Sequence, residues 1–527
     1  MNRGAHRARK VAVSLVISGR IVPLTLDSDV ASSEQDSFRG KVWIGDDGRV
    51  ERITRRNASG PKSGFDKAAV LDVGSNLVLP GFVDLHSHLA YATLPLWSVP
   101  GRTEPFPHHD AWPSAQSYAG DITWPAYAFI EAAPRELLAY AEVRALIGGT
   151  TSIQGSPPKN RPLDSWMVRN VEDETFGGSL AATRILASTL PLKPEVLAAR
   201  SAQMKSGAGF IYHCAEGQPN SLVAREYQSV RRCGCLQRGF IAIHTNAVNP
   251  DDYAAWTEPG AIVWSPFSNV WLYGSTTDVP AALALKIPVC IGSDWGPSGT
   301  RNVLGEIKVA ALVGKNRGWN LSPFDLLRMI TCVPGDALAG PWAVQAGRLQ
   351  PGALGDLVVI RAARSADPFA AVLAATEQDV QLVVVGGRPL YGNPGLMKAA
   401  AARFPSTLKV AGEQRTLSMA KSADGQERWT FDQVLARMEQ VRANPKGEID
   451  AARNAFAVGR LTDALPRLRL ALDMPLGRVP VGGLPKDLDD IVVPPIQPLE
   501  HDAAFFAAIK GRGFHGGLLD GLAGFYS

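Results

Sequence analysis

Phe82-Val83-Asp84-Leu85-His86-Ser87-His88 decides how this chain is to be read. The stretch comes after an apolar run punctuated by proline, Leu77-Val78-Leu79-Pro80-Gly81, and reads as a short buried strand that stops at two histidines. Successive strand residues point to opposite faces, so His86 and His88 share a face and can turn two imidazoles toward one point. That arrangement suits a divalent cation. Alone, an HxH pair is a frequent chance pattern and equally fits two histidines on a half-exposed strand, so its meaning depends on residues much further along the chain.

From Gly81 onward the chain alternates strand-like and helix-like stretches, the pattern of a parallel α/β fold. Strands are expected over residues 150–154, 182–187, 210–213, 240–244, 262–265 and 289–294, with helices over 136–147, 194–205, 277–285 and 303–313. The last four strands each end on a polar group where the apolar run would otherwise continue: His213, His244, Ser265 and Asp294. Chemistry at the carboxyl ends of strands is the habit of a (β/α)8 TIM barrel. An open doubly wound sheet would carry a Gly-rich dinucleotide loop after an early strand, and none is present.

Shorter β-like runs at 11–17, 21–25, 41–44 and 70–73, separated by turn clusters such as Asp46-Asp47-Gly48, form a small β-region before the barrel. The β texture returns over residues 341–395, which can complete it. The expected plan is a β-region at 11–79, a barrel at 80–340, a second β-segment at 341–395 and an extension at 396–527. In that extension 430–441 and 449–465 read as helical, Pro466 ending the second. The last fifty residues are rich in Gly and Pro, and either cover the barrel or join a subunit interface, so a homo-oligomer is an open possibility.

At 527 residues the chain exceeds a single core, and its 46% hydrophobic and 20% charged residues are those of an ordinary globular protein. A net charge of +4 over this length gives no reason to expect nucleic acid as a partner. Arg3, Arg7, Arg9 and Lys10 before the apolar run 11–17 mimic a signal peptide, but Arg20 interrupts it and no small-residue cleavage site is evident, so a first strand is the better reading. No apolar run is long enough to span a bilayer. The five cysteines are an odd count without framework spacing, which favours reduced thiols and a cytoplasmic setting.

A zinc-type site calls for neutral imidazoles and a carboxylate, with one position left for water. His86, His88, His213 and Asp294 supply that set from separate strand ends, and four of the nine histidines stand at such ends once His244 is included. Calcium or magnesium would call for more carboxylates.

With these residues in view, the chain resembles the amidohydrolase superfamily over residues 11–395. Pro80-Gly81-Phe82-Val83-Asp84-Leu85-His86-Ser87-His88 resembles that superfamily's first-strand motif, and Gly149-Thr150-Thr151 its second-strand entry. His213-Cys214-Ala215-Glu216-Gly217 is similar to the HxxE element of its chlorohydrolase and cytosine-deaminase-like branch. Ser265-Pro266-Phe267-Ser268-Asn269 is similar to the SPxSN loop, Gly292-Ser293-Asp294 to the metal-binding GxD, and residues 347–357 to the segment closing a flanking β-sandwich.

The resemblance implies a (β/α)8 barrel with a small β-sandwich and one divalent metal, zinc or alternatively iron, on His86, His88, His213 and Asp294. It implies that the metal makes a bound water reactive near neutral pH and that Asp294 takes its proton. Glu216 would protonate a ring nitrogen or leaving group, although its spacing alone fits a solvated loop carboxylate equally well. His244 would hydrogen-bond the attacking water or the developing oxyanion. Relatives with two metals bridge them by a lysine on a middle strand. Here the lysines between His88 and His213 are Lys159, Lys193 and Lys205, none on an expected strand, so one metal is expected.

The implied reaction is hydrolysis of a C–N or C–Cl bond of a small nitrogen heterocycle, as by a deaminase or chlorohydrolase. An amidase or lactamase on the same scaffold is the enzymatic alternative, and a non-catalytic binding protein the remote one. Trp97, His108, His109, Trp264 and Trp271 are the candidates for substrate contact, since aromatics at a barrel mouth can stack a planar ring. Any one of them can equally pack beneath a lid.

Overall fold

The computed structural model describes residues 14–25, 34–155, 167–172, 185–189, 191–420, 428–457 and 490–527. Four strands come first: β1 (Leu15–Ile21), β2 (Phe38–Ile44), β3 (Val50–Arg55) and β4 (Ala69–Pro80). Eight short ones come next: β5 (Phe82–Asp84), β6 (Thr150–Ile153), β7 (Arg169–Asn170), β8 (Ile185–Ser188), β9 (Gly209–Cys214), β10 (Phe240–His244), β11 (Ala261–Trp264) and β12 (Val289–Ile291). The chain then returns to longer strands: β13 (Leu357–Ile360), β14 (Val380–Val385), β15 (Arg388–Gly392), β16 (Pro405–Val410) and β17 (Glu413–Ser418).

The eight short strands pair in parallel as two ribbons, β5-β6-β7 and β12-β11-β10-β9-β8. A parallel bridge from Ser87 to Asp294 joins the ends of β5 and β12. Their side chains alternate between two apolar clusters, as a strand buried on both faces requires. Phe210, Tyr212, Phe240, Ala242, Ile262 and Trp264 face the helices. Ile211, Ile241, Ile243, Val263 and Cys290 meet Val83, Leu85, Val171 and Ile185 in one cluster, so the two ribbons share an apolar interior.

The remaining nine strands form one mixed sheet, ordered β16-β17-β15-β14-β13-β4-β1-β2-β3. Its alternation is also legible. Leu357 and Val359 point into a core with Leu15, Ile17 and Val42, while Val358 and Ile360 join the larger core on the other face. The strand expected at 21–25 is not formed. β1 ends at Ile21, and Leu24 adopts a left-handed φ of 52°, which a strand does not accommodate.

A second correction concerns the extension from residue 396. It adds β16 and β17 to the sheet, with Ser406, Leu408 and Val410 buried in strict alternation, where no strand was expected. Helices do come after them, at Phe431–Ala443 and Pro445–Ala457. The part of the expected 449–465 helix beyond 457, the expected strand residues 182–184, and Lys159 lie outside the described residues. The C-terminal residues lie against the helices at Pro266–Tyr273 and Val303–Arg317. Phe505 meets Phe267 at 6.1 Å, and His515 stacks on Trp271 at 5.9 Å. No helix among the described residues is long and apolar enough to cross a membrane.

Candidate metal and catalytic centre

Backbone geometry at the strand ends turns the polar groups inward. Ala215, His244, Thr245 and Asp294 all have left-handed φ, between 56° and 67°. That conformation is costly for residues with a Cβ, and such strain concentrates where side chains must be aimed. Two glycines permit the close approach. A Cβ on Gly292 would lie 2.5 Å from the Cβ of His86, and one on Gly155 would lie 1.4 Å from the Ser87 carbonyl oxygen. Asp84 ties the first and last strand ends together, its carboxylate accepting from the backbone N–H of His86 at 3.1 Å and of Ser293 at 3.2 Å.

His86, His88, His213 and Asp294 converge. His86 Nε2 is 3.0 Å from His213 Nε2, 3.2 Å from His88 Nε2 and 3.3 Å from Asp294 Oδ1. His88 Nε2 is 3.3 Å from His213 Nε2 and 3.6 Å from Asp294 Oδ1. Four ligands of a tetrahedral zinc centre stand about 3.3–3.6 Å apart, so these spacings fit that cation.

The donor chemistry fits as well. His86 Nδ1 lies 2.6 Å from Ser265 Oγ, and with its proton there the Nε2 lone pair faces the cluster. Burial, with repulsion from neighbouring imidazoles, drives His86 and His88 well below the usual histidine range, and burial pushes His213 to about 3. Neutral rings whose lone pairs crowd one another and a carboxylate oxygen are stabilised by a cation among them. Of the lysines considered as bridges, Lys193 precedes and Lys205 ends the helix Pro194–Lys205, and neither stands on a strand.

Glu216 is buried, not a solvated loop carboxylate. Its Oε1 accepts from the Tyr273 hydroxyl at 2.6 Å, which in turn accepts from the Trp112 indole N–H at 2.9 Å. Its Oε2 is 3.5 Å from His244 Nε2, and that nitrogen is 3.8 Å from Asp294 Oδ2. Burial lifts the Glu216 carboxyl to about 6, with the charge on His109 and the Tyr273 hydrogen bond pulling the other way. A carboxyl in that range can both hold and release a proton near neutrality.

The candidates for substrate contact divide. Trp264 is a correction: it sits on the helix side of β11, its indole N–H donating to Thr276 Oγ1 at 2.7 Å and its ring 5.8 Å from Trp319. One register step puts it opposite the Val263 side, which faces the cluster shared by the two ribbons. Trp97 stacks on Phe106 and donates to Asp121, and the Trp271 indole donates to the Trp97 carbonyl at 2.8 Å. Both are buried in one aromatic layer.

His109 has both ring nitrogens engaged, Nε2 with Glu226 at 2.9 Å and Nδ1 with Asp110 at 3.3 Å. Burial opposes its charge, but Asp110 and Glu226 hold its proton and raise it to about 10. Glu226 also accepts from the Ala215 N–H at 2.8 Å, so His109 braces the turn that carries Glu216. His108 pairs through its backbone with Gly217, and its Nδ1 is buried without a hydrogen-bond partner among the described residues. Asp84, Tyr273 and Glu226 were not singled out for these roles from sequence. The one local signal was Glu226, on a helix that starts soon after Glu216.

No family model matches the chain. A curated 5-methylthioadenosine/S-adenosylhomocysteine deaminase of Symbiobacterium thermophilum is 24% identical over 419 residues, covering 72% of this chain and 93% of the relative. Among solved structures, E. coli guanine deaminase aligns at a TM-score of 0.54 with 16% identity, over 72% of this chain and 99% of that one. An adenosine deaminase from Xanthomonas campestris with bound zinc aligns at 0.55 with 15% identity, over 84% and 98%. A triazine hydrolase variant aligns at 0.56 with 18% identity, over 72% and 94%. Its HxH, HxxE, SPxSN and GxD residues meet at one centre, and the chain is similar to a curated deaminase along most of its length and to solved deaminases and triazine hydrolases in fold.

Proposed function

We propose that the protein is a metal-dependent hydrolase of the aminohydrolase and chlorohydrolase kind, acting on a C–N or C–Cl bond of a small nitrogen heterocycle. The observation that carries this is the convergence of His86, His88, His213 and Asp294 at 3.0–3.6 Å beside a buried carboxyl and a fourth imidazole, His244. The eight parallel strands, the Ser87–Asp294 bridge and the shared interior support a closed (β/α)8 barrel, and the two-faced nine-stranded sheet supports a flanking β-sandwich. The five cysteines are unpaired, which supports a reducing, cytoplasmic setting.

His86, His88, His213 and Asp294 would hold a single divalent cation, zinc fitting the donor set and spacing. When bound, such a cation acidifies water so that it attacks at neutral pH. Asp294 would take the proton released, its Oδ2 being buried without a hydrogen-bond partner among the described residues. Glu216 would carry a proton to the ring nitrogen or leaving group, held in place by Tyr273 and Trp112. His244 would face the oxygen that gains charge. The named relatives act on purine-type and triazine compounds, and a planar ring between Glu216 and the metal ligands suits this arrangement.

A hydrolysis screen over aminated purines, pyrimidines, chloro- and aminotriazines and simple amides, with metal measured on the same sample, tests this reading. Ammonia or chloride release in proportion to bound metal is expected. Turnover confined to amides, without ring deamination or dechlorination, would favour the amidase alternative.

A further inference from the structure

Two overlapping sets of donors occupy this centre: His86, His88 and Asp294 form one, and His86, His213 and His244 the other. Geometry alone would allow His244 to be a metal ligand. What decides its role is which ring nitrogen carries the proton, and that is set outside the site.

His244 Nδ1 lies 3.0 Å from Asn269 Nδ2, and Asn269 Oδ1 lies 3.4 Å from Thr276 Oγ1 and 3.3 Å from Thr277 Oγ1. The Thr277 hydroxyl spends its proton on the His244 carbonyl oxygen at 2.6 Å. The Thr276 oxygen accepts from the Trp264 indole N–H at 2.7 Å, a donor that cannot act as an acceptor, so the Thr276 proton is left for Asn269 Oδ1. With its oxygen receiving that proton, the Asn269 amide presents N–H to His244 Nδ1. Nδ1 is then an acceptor, and the proton of the neutral ring stands on Nε2.

The other side of the ring agrees. Nε2 faces Glu216 Oε2 at 3.5 Å and Asp294 Oδ2 at 3.8 Å, where an N–H is attracted and a bare lone pair repelled. All the side chains of the relay are buried, so water does not compete for these bonds.

We propose that Trp264, Thr276 and Asn269 are positioning residues that lock His244 in the Nε2–H tautomer, making it a hydrogen-bond donor to the reacting oxygen and excluding it from the metal's ligand set. The proposal deepens the hydrolase reading and rests on it for the reacting oxygen, but the tautomer is a property of the protein that can be measured without substrate.

The test is ¹⁵N NMR of the full-length, metal-loaded protein labelled at histidine, with His244 assigned by its loss in His244→Gln. The expected native spectrum shows His244 neutral, with Nδ1 unprotonated and Nε2 protonated and free of metal. A protonated Nδ1 or a metal-bound Nε2 would overturn the proposal even if the enzyme deaminates heterocycles. Conversely, a failed hydrolysis screen with the expected spectrum would sink the function and leave the tautomer lock standing.

In Asn269→Asp, a shape-matched change that puts an acceptor where the amide N–H stood, an Nδ1–H signal should appear while metal content holds. Turnover should fall roughly 10-fold with KM nearly unchanged. Thr276→Val, which leaves Asn269 in place, should move the spectrum the same way, and Thr276→Ser should restore it. An unaltered His244 spectrum in Thr276→Val would show that the relay does not set the tautomer.

Discussion

Two buried groups of histidine and carboxylate lie in this molecule, and they are built on opposite plans. Around His501 both ring nitrogens are engaged. Nδ1 meets Glu377 Oε1 at 2.6 Å, Nε2 accepts from the Arg301 N–H at 3.0 Å, and Glu377 also accepts from Asn302 Nδ2 at 2.9 Å. Asn302 at once caps the helix Val303–Arg317, its Oδ1 accepting from the Gly305 N–H. Around His86 the reverse holds, because three imidazole nitrogens and a carboxylate oxygen turn like-charged lone pairs on one another. A satisfied network joins the C-terminal segment to the helix Val303–Arg317. The unsatisfied one is the set proposed to hold a cation, and that difference separates structure from chemistry.

The contrast is most exposed at the ligands. His88→Ala should lose metal beyond the roughly 10- to 100-fold cost typical of outer partners, and turnover and thermal stability should go with it, as read by elemental analysis, assay and melting on one sample. Retained metal at full stoichiometry would remove His88 from the set. Glu216→Gln keeps shape and metal but removes the titrating group, so kcat should fall roughly 10² to 10⁴ with Tm little changed. Loss of metal there would make Glu216 a ligand instead.

The satisfied cluster should respond in the opposite manner. Glu377→Ala leaves His501 and Asn302 without their acceptor and should cost about 3–5 kcal/mol of stability, measured by denaturant unfolding, while metal per folded chain stays constant. Burial pushes the Glu377 carboxyl up, but His501 and Asn302 hold it down, to about 2 against an ordinary 4.5. A depressed carboxyl stabilises the fold above its unfolded value and loses that contribution as pH falls through its folded one. The stability gap between native protein and Glu377→Gln should therefore be full above about pH 4.5 and close toward pH 2. A gap independent of pH would show that the pair contributes by packing alone.

The smallest effect sharpens the boundary between the two plans. Ser265 touches the metal cluster only through His86 Nδ1, so Ser265→Ala should weaken metal affinity roughly 10- to 100-fold in a chelator competition without altering the unfolding curve of the loaded protein.

Much of the centre was legible because its signals are local. His86 and His88 stand two apart just past the end of the short buried strand β5, not on it as the spacing suggests, and His213, His244 and Asp294 each interrupt an apolar run where a strand stops. The residues that tune the centre carry no such mark. Tyr273 reaches Glu216 across 57 positions and Trp112 reaches Tyr273 across 161. The same distance effect hid β16 and β17, whose alternation at Ser406, Leu408 and Val410 is plain only once β15 offers an edge to pair with.

The sequence by itself determined residue types and periodicity: which side chains can bind a metal, and where buried strands end. Tertiary structure alone decided direction and pairing. Whether Trp264 faces the substrate side or the helices turns on a single register step, and period-2 alternation does not say which face is which until both have neighbours. His109 reads as a substrate contact until Asp110 and Glu226 take its two nitrogens. A histidine's role is set by what each ring nitrogen meets, and those partners arrive from strands and helices far apart in the chain.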